Sequence, residues 1–250
     1  MDITNYVRSC VNDFQTFVGS DTFPEFNIIP KEMSLEAAIK QGFGSLAATF
    51  YDTSTGSHTL EIWSSLNQPQ MNAKYLVFHE LTHIWDASVY SQMDKVKHTS
   101  NKGYTEYHAA QIDFLLLLGA KSIADPISFD MKQKLETFRG TQTAEEFVEE
   151  PRKLATELIQ RTDFPANIET LSVTFGAIFN YLGRRSICKM HAKNYDDKSD
   201  LSVITGFIGK DAVKALNDFM LGWLEPPRVA IIDMLYYRMV VSLAQKYHLA

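Results

Sequence analysis

The spacing of hydrophobic and polar positions divides the chain into a mixed first half and a helical second half. Ile3, Tyr6, Val7, Cys10, Val11, Phe14, Phe17 and Val18 recur at helical spacing, and Gly19 is a natural stop. Residues 26–30 read as a short strand closed by Pro30, and Ser34 as the N-cap of a helix through about Lys40 that ends near Gly42. Stretches 46–51 and 58–64 flank the turn formers Asp52 to Ser57, which predicts an antiparallel hairpin. In its second strand Leu60 and Ile62 point one way, and Thr59, Glu61 and Trp63 the other. An apolar helix follows at 71–90, then a polar connection at 91–101. A second apolar helix is expected at 104–121, after Gly103. Further helices are expected near 128–138, 143–161, 167–192, 209–222 and 228–247, with breaks at Pro165 and Pro226-Pro227. The pattern predicts an α+β protein with one domain over 1–125 and a mostly α-helical C-terminal domain over 126–250.

Composition narrows the function classes. Residues 1–125 carry 8 Lys+Arg against 14 Asp+Glu, and residues 126–250 carry 16 of each, so the net charge of −6 sits in the first half. An acidic first half argues against nucleic acid as a partner there. No run approaches the roughly 18 apolar residues of a membrane span, and the N-terminus lacks a basic segment followed by an apolar core. Cys10 and Cys188 form neither a disulfide framework nor a C-x-x-C pair. A cytoplasmic, reducing location is expected.

The chemistry lies in the helix at 71–90. His79 and His83 are four residues apart, so on a helix their rings project from nearly the same line. With His79 at zero, His83 falls near 40° and Glu80 near 100°. Both imidazoles can hold one zinc ion while Glu80 stands beside the open side. This is the H-E-x-x-H pattern, in which zinc polarises a water and the glutamate takes its proton. Random placement yields it in about 1% of such chains, so two surface histidines on an ordinary helix is the weaker account. Leu76, Asp86, Ala87 and Tyr90 share the histidine face, and Val77, Phe78, Leu81, Ile84, Trp85 and Val89 cover the other sides. A helix apolar almost all round is a buried one.

Catalytic zinc takes three protein ligands and keeps one position open. Glu106 lies 23 residues after His83, with Ala110, Asp113 and Leu117 on its helix face, and the small Ala110 would allow close helix approach. A first-turn acid stabilised by the helix dipole is the other account of Glu106. His108 lies near 200° from Glu106 and faces away. Asp113 sits almost two turns along and suits a supporting role, and His98 lies in the polar connection. Asp86 either orients a ligand imidazole or is simply solvated. A third histidine six residues after His83 is excluded, because position 89 is Val.

His79-Glu80-x-x-His83 on one helix with Glu106 on the next resembles the gluzincin, or thermolysin-like, zinc metallopeptidases. The order strand, helix, strand, strand, active helix, glutamate helix is similar to that clan's zincin-like core: a small sheet plus the active-site and glutamate helices. Chain size, lack of an export signal and the Glu106-x-x-Ala109 pattern look most like the ImmA/IrrE group of intracellular bacterial and phage proteases. The resemblance covers roughly residues 25–122. It implies Zn2+ on His79, His83 and Glu106, Glu80 as general base, and a peptide or protein substrate. It departs from the clan at position 110, where thermolysin-like enzymes place Asp and this chain has Ala. Tyr104, Tyr107, Tyr181 and His191 are all candidates for stabilising a transition state. The strand at 58–64 is a candidate edge for aligning an extended peptide.

Other motifs carry less. Gly206-Phe207-Ile208-Gly209-Lys210 lacks phosphate-loop spacing and is followed by Asp211. Arg184, Arg185, Lys189, His191 and Lys193 end a long helix, where cations are favourable on dipole grounds alone. Two alternatives stand beside the peptidase: a zincin-fold binding or regulatory protein without useful turnover, and a hydrolase of non-peptide amides. The latter would want a cysteine ligand, and Cys188 is distant in sequence.

Overall fold

Asp2 caps the first helix, α1 (Ile3–Val18), by accepting from the Asn5 N–H, and Gly19 ends it in the left-handed conformation at φ 71°. The computed structural model describes residues 2–34, 36, 46–68 and 71–249. Apart from Ser34 and Glu36, the helix expected from Ser34 to Lys40 and its stop at Gly42 lie outside the described residues. The chain divides into two compact units. The first holds the chain to His98 with Ile112–Ile127 and Lys134–Gln142, and the second holds Thr99–Gln111, Ser128–Gln133 and the chain from Thr143.

In the first unit, β1 (Phe26–Lys31), β2 (Ala47–Asp52) and β3 (Ser57–Trp63) form a sheet of order β1-β3-β2. The hairpin pairs β2 with β3 in the expected antiparallel sense, with Thr49 opposite Leu60. β1 then pairs with β3 in parallel, Ile28 opposite Leu60, so β3 is the central strand and cannot be the edge that its sequence suggested. Leu60 and Ile62 are fully buried, as the alternation requires, and His58 shares their side.

The histidine helix is α2 (Lys74–Asp86), buried at nearly every position. α1 packs on it through a ring cluster, with Phe14 and Phe17 edge-on to Phe78 at 5.4 and 5.6 Å. Burying a side chain such as Phe78 contributes roughly 1.5–3 kcal/mol. Helical winding then loosens into a π turn at Ala87–Ser91, so Val89 leaves the apolar wheel and is exposed.

The next helix, α3, runs over Lys95–Leu117 rather than from Tyr104. Its true start is Asp94, whose Oδ1 accepts from the N–H groups of Val96 and Lys97 at 2.8 and 3.1 Å. Gly103, read as a breaker, lies inside the helix. A Cβ there would stand 2.6 Å from the Tyr236 ring and 2.8 Å from Phe179, so its bareness serves close packing.

The helix expected at 128–138 is absent. Phe129 bridges Ala192 in parallel, Asp130 turns the chain by accepting from the Lys132 N–H, and β4 (Lys134–Thr137) pairs with β5 (Gly140–Thr143). Leu135 and Thr137 are buried while Lys134 and Glu136 are exposed, a period of two that a strand satisfies and a helix does not. Four predicted helices of the C-terminal half form. They are α4 (Ala144–Ile159), opened by a Thr143–Glu146 capping box, α5 (Ile168–His191), α7 (Lys210–Phe219) and α8 (Pro226–Lys246). A short α6 (Ser202–Ile208) precedes Gly209 and had no counterpart in the pattern. The protein is α+β, with helices dominating small sheets.

Candidate metal centre

α2 places His79, Glu80 and His83 as the wheel requires. One ligand atom from each lies within 4.8 Å of the other two. The two imidazole centroids are 4.8 Å apart and their planes nearly perpendicular, at 80°. His79 and Glu80 are 2% and 4% exposed, whereas His83 is only partly buried, so the group opens toward His83. Zinc ligands at about 2.0–2.2 Å from the metal stand roughly 3.3 Å from one another in a tetrahedron, so small side-chain rotations close the gap. Two imidazoles and a carboxylate, all rich in lone pairs, suit a divalent cation.

Hydrogen bonds from other elements of the first unit orient this group. His79 Nδ1 meets Asp113 Oδ2 at 3.0 Å, with both side chains buried. A carboxylate at the far nitrogen of an imidazole is the usual way in which a metal-binding histidine is oriented. The supporting role read for Asp113 is thus realised in hydrogen bonding. Asp86, the other candidate for that task, is buried at 2% exposure, which excludes a solvated carboxylate. The second bond comes from β2, where Thr49 Oγ1 donates to Glu80 Oε2 at 3.1 Å. Nothing in the sequence marked Thr49.

Glu106 belongs to the second unit. It lies in the middle of α3, about three turns from Lys95, so the first-turn dipole account no longer applies. Asn180 Nδ2 donates to its Oε2 at 2.8 Å, and Gly176 leaves room for the carboxylate, since a Cβ there would sit 3.4 Å from Oε1. Ala110 meets α5 at Gly183, where a Cβ would come within 2.2 Å of the Tyr107 carbonyl oxygen. The small Ala110 therefore serves the packing of α3 on α5.

The remaining candidates have other partners. His108 stacks on Tyr104 with ring centroids 5.4 Å apart and meets Trp223 edge-on. His98 is helical, its Nδ1 3.2 Å from Ser91 Oγ and its ring edge-on to Tyr51. His58 stacks on Tyr51 at 4.5 Å, and burial lowers its pKa. The Tyr107 hydroxyl donates to the Gly222 carbonyl at 2.7 Å, and burial holds its pKa well above the ordinary tyrosine value. Arg184 donates to the Phe147 carbonyl and stacks over its ring, and Arg185 pairs with Asp197, so the basic cluster is largely internal. Among the described residues no helix is long and apolar enough to cross a membrane.

No protein-family model, curated protein or solved structure matches the chain.

Proposed function

We propose that the protein is a zinc-dependent metallopeptidase acting on a peptide or protein in the cytoplasm. The observation that carries this reading is the His79–Glu80–His83 group, with the Nδ1 of His79 engaged by Asp113. His79 and His83 would hold the metal, and Glu106 is the third ligand that the gluzincin resemblance implies. When bound, zinc supplies Lewis-acid polarisation and stabilises developing negative charge. Glu80 is the general base: it takes a proton from the attacking water and delivers it to the leaving amine. Its burial keeps bulk water from competing for that proton, and Thr49 fixes one of its oxygens. For alignment of an extended substrate, β2 replaces β3 as the candidate edge, since it pairs on one side only among the described residues and carries Thr49.

The test is Glu80→Gln. The variant should bind zinc and stay folded, yet lose peptide hydrolysis by about 10²–10⁴-fold, because an amide cannot accept the proton. Cleavage of a screened peptide library by wild type but not by this variant supports the reading. Equal cleavage by both rejects it. A zinc-binding wild type that cleaves nothing favours the binding or regulatory alternative.

A further inference from the structure

Glu80 stands close enough to the two histidines to be a third metal ligand itself, since its carboxylate falls within the same 4.8 Å cluster. A carboxylate bound to the metal shares its charge with the cation and is a much weaker base than one held beside it. Something must therefore decide between the two roles. Among the described residues the Glu80 carboxylate receives one hydrogen bond, from Thr49 Oγ1 to Oε2. Thr49 is well fixed for this purpose. It lies on β2, which pairs along its length with β3, opposite the fully buried Leu60. As a β-branched residue it has little χ1 freedom.

We propose that Thr49 is a positioning residue that tethers the Glu80 carboxylate to the sheet and so keeps it off the metal. This rests on the reading that His79 and His83 hold a metal. With Oε2 engaged by Thr49, the reach of the Glu80 carboxylate toward the histidine pair is restrained. The 3.1 Å bond is long for a hydroxyl on a carboxylate. It leaves room to tighten.

The test uses the full chain loaded with Co2+, whose visible absorption weakens as coordination number rises. Wild type, Thr49→Val and Thr49→Ser are compared by cobalt spectrum and by metal affinity against a competing chelator, with circular dichroism confirming the fold. In Thr49→Val, which keeps the shape but loses the hydroxyl, Glu80 should join the metal. The bands should weaken and affinity should rise by roughly tenfold, the low end of the range for residues that orient a site. Thr49→Ser should restore the wild-type spectrum, and adding Glu80→Gln to Thr49→Val should do so as well. Wild-type spectrum and affinity in Thr49→Val would overturn the tether. A fall in affinity would overturn it too, by showing that Thr49 supports a Glu80 already on the metal. If the wild type gives no cobalt band, or His79→Ala binds equally well, the metal reading fails first and the tether falls with it.

Discussion

Compare the Tyr107–Gln111–Ser186 group of the second unit with His79–Glu80–His83 of the first. In the second unit donors and acceptors close on one another. The Tyr107 hydroxyl donates to the Gly222 carbonyl, the Gly222 N–H donates to Ser186 Oγ at 2.7 Å, and the Gln111 amide reaches all three within 3.1–3.3 Å. Such a network is complete without any ligand, and it fixes the chain at Gly222. In the first unit two imidazoles and a carboxylate converge, and each of the two buried members is gripped from outside, His79 by Asp113 and Glu80 by Thr49. Polar burial alone therefore does not mark a site. The balance of donors and acceptors does, because lone pairs that meet one another are stabilised by a cation and hydroxyl–amide networks are not.

This contrast breaks most sharply at the ligands. Purified protein should hold close to one zinc per chain by elemental analysis, and His79→Ala or His83→Ala should lose most of it. Full zinc in both variants would reduce the first-unit group to another internal network. Glu106→Ala should weaken zinc binding by a large factor if it is the third ligand, ahead of Asp113→Asn, whose expected loss is about 10–100-fold. His108→Ala should bind nearly as wild type. Chelator titrations rank the three, and His108→Ala as the most damaging would remove the gluzincin ligand set.

The Gly183 contact and the Tyr107 network should answer in stability and not in metal. Gly183→Ala forces a Cβ to within 2.2 Å of a main-chain carbonyl, which we expect to cost about 3 kcal/mol of unfolding free energy. Tyr107→Phe leaves the part-buried Gly222 carbonyl and the buried Gln111 amide each one partner short, at about 1–3 kcal/mol. Urea unfolding measures both, and zinc affinity should stay unchanged. A shift in zinc affinity on either substitution would show that the two groups are not separable.

The smallest effect concerns pH. Burial depresses the pKa of folded His58 below its ordinary 6.5. Between those two values the unfolded chain binds a proton that the folded chain does not. Stability should therefore fall as pH drops through 6.5 toward the folded value. Replacing His58 by Phe should flatten that slope in melting experiments between pH 7.5 and 5.5. An identical slope in both proteins would show that His58 binds its proton equally in the folded and unfolded chain.

Local rules determined α1 with its Gly19 stop, the 46–64 hairpin, the buried helix bearing His79, Glu80 and His83, and most helices after Thr143. Each depends on side chains three, four or two residues apart, and that spacing is written in the chain. The start of α3 was also local, in the Asp94 cap, but it was masked by polar residues and by Gly103, whose meaning depends on rings at Phe179 and Tyr236. The alternation Lys134-Leu135-Glu136-Thr137 was equally present and too short to outweigh a helical reading. Other features were decided only by tertiary structure. β3 became central because β1, some 30 residues earlier, pairs with it in parallel. Asp113 reached His79 across 34 residues, and Thr49 reached Glu80 across 31. Hydrogen bonds between side chains so far apart leave no period in the sequence, because it is the packing of helix on helix and of helix on sheet that brings their atoms together.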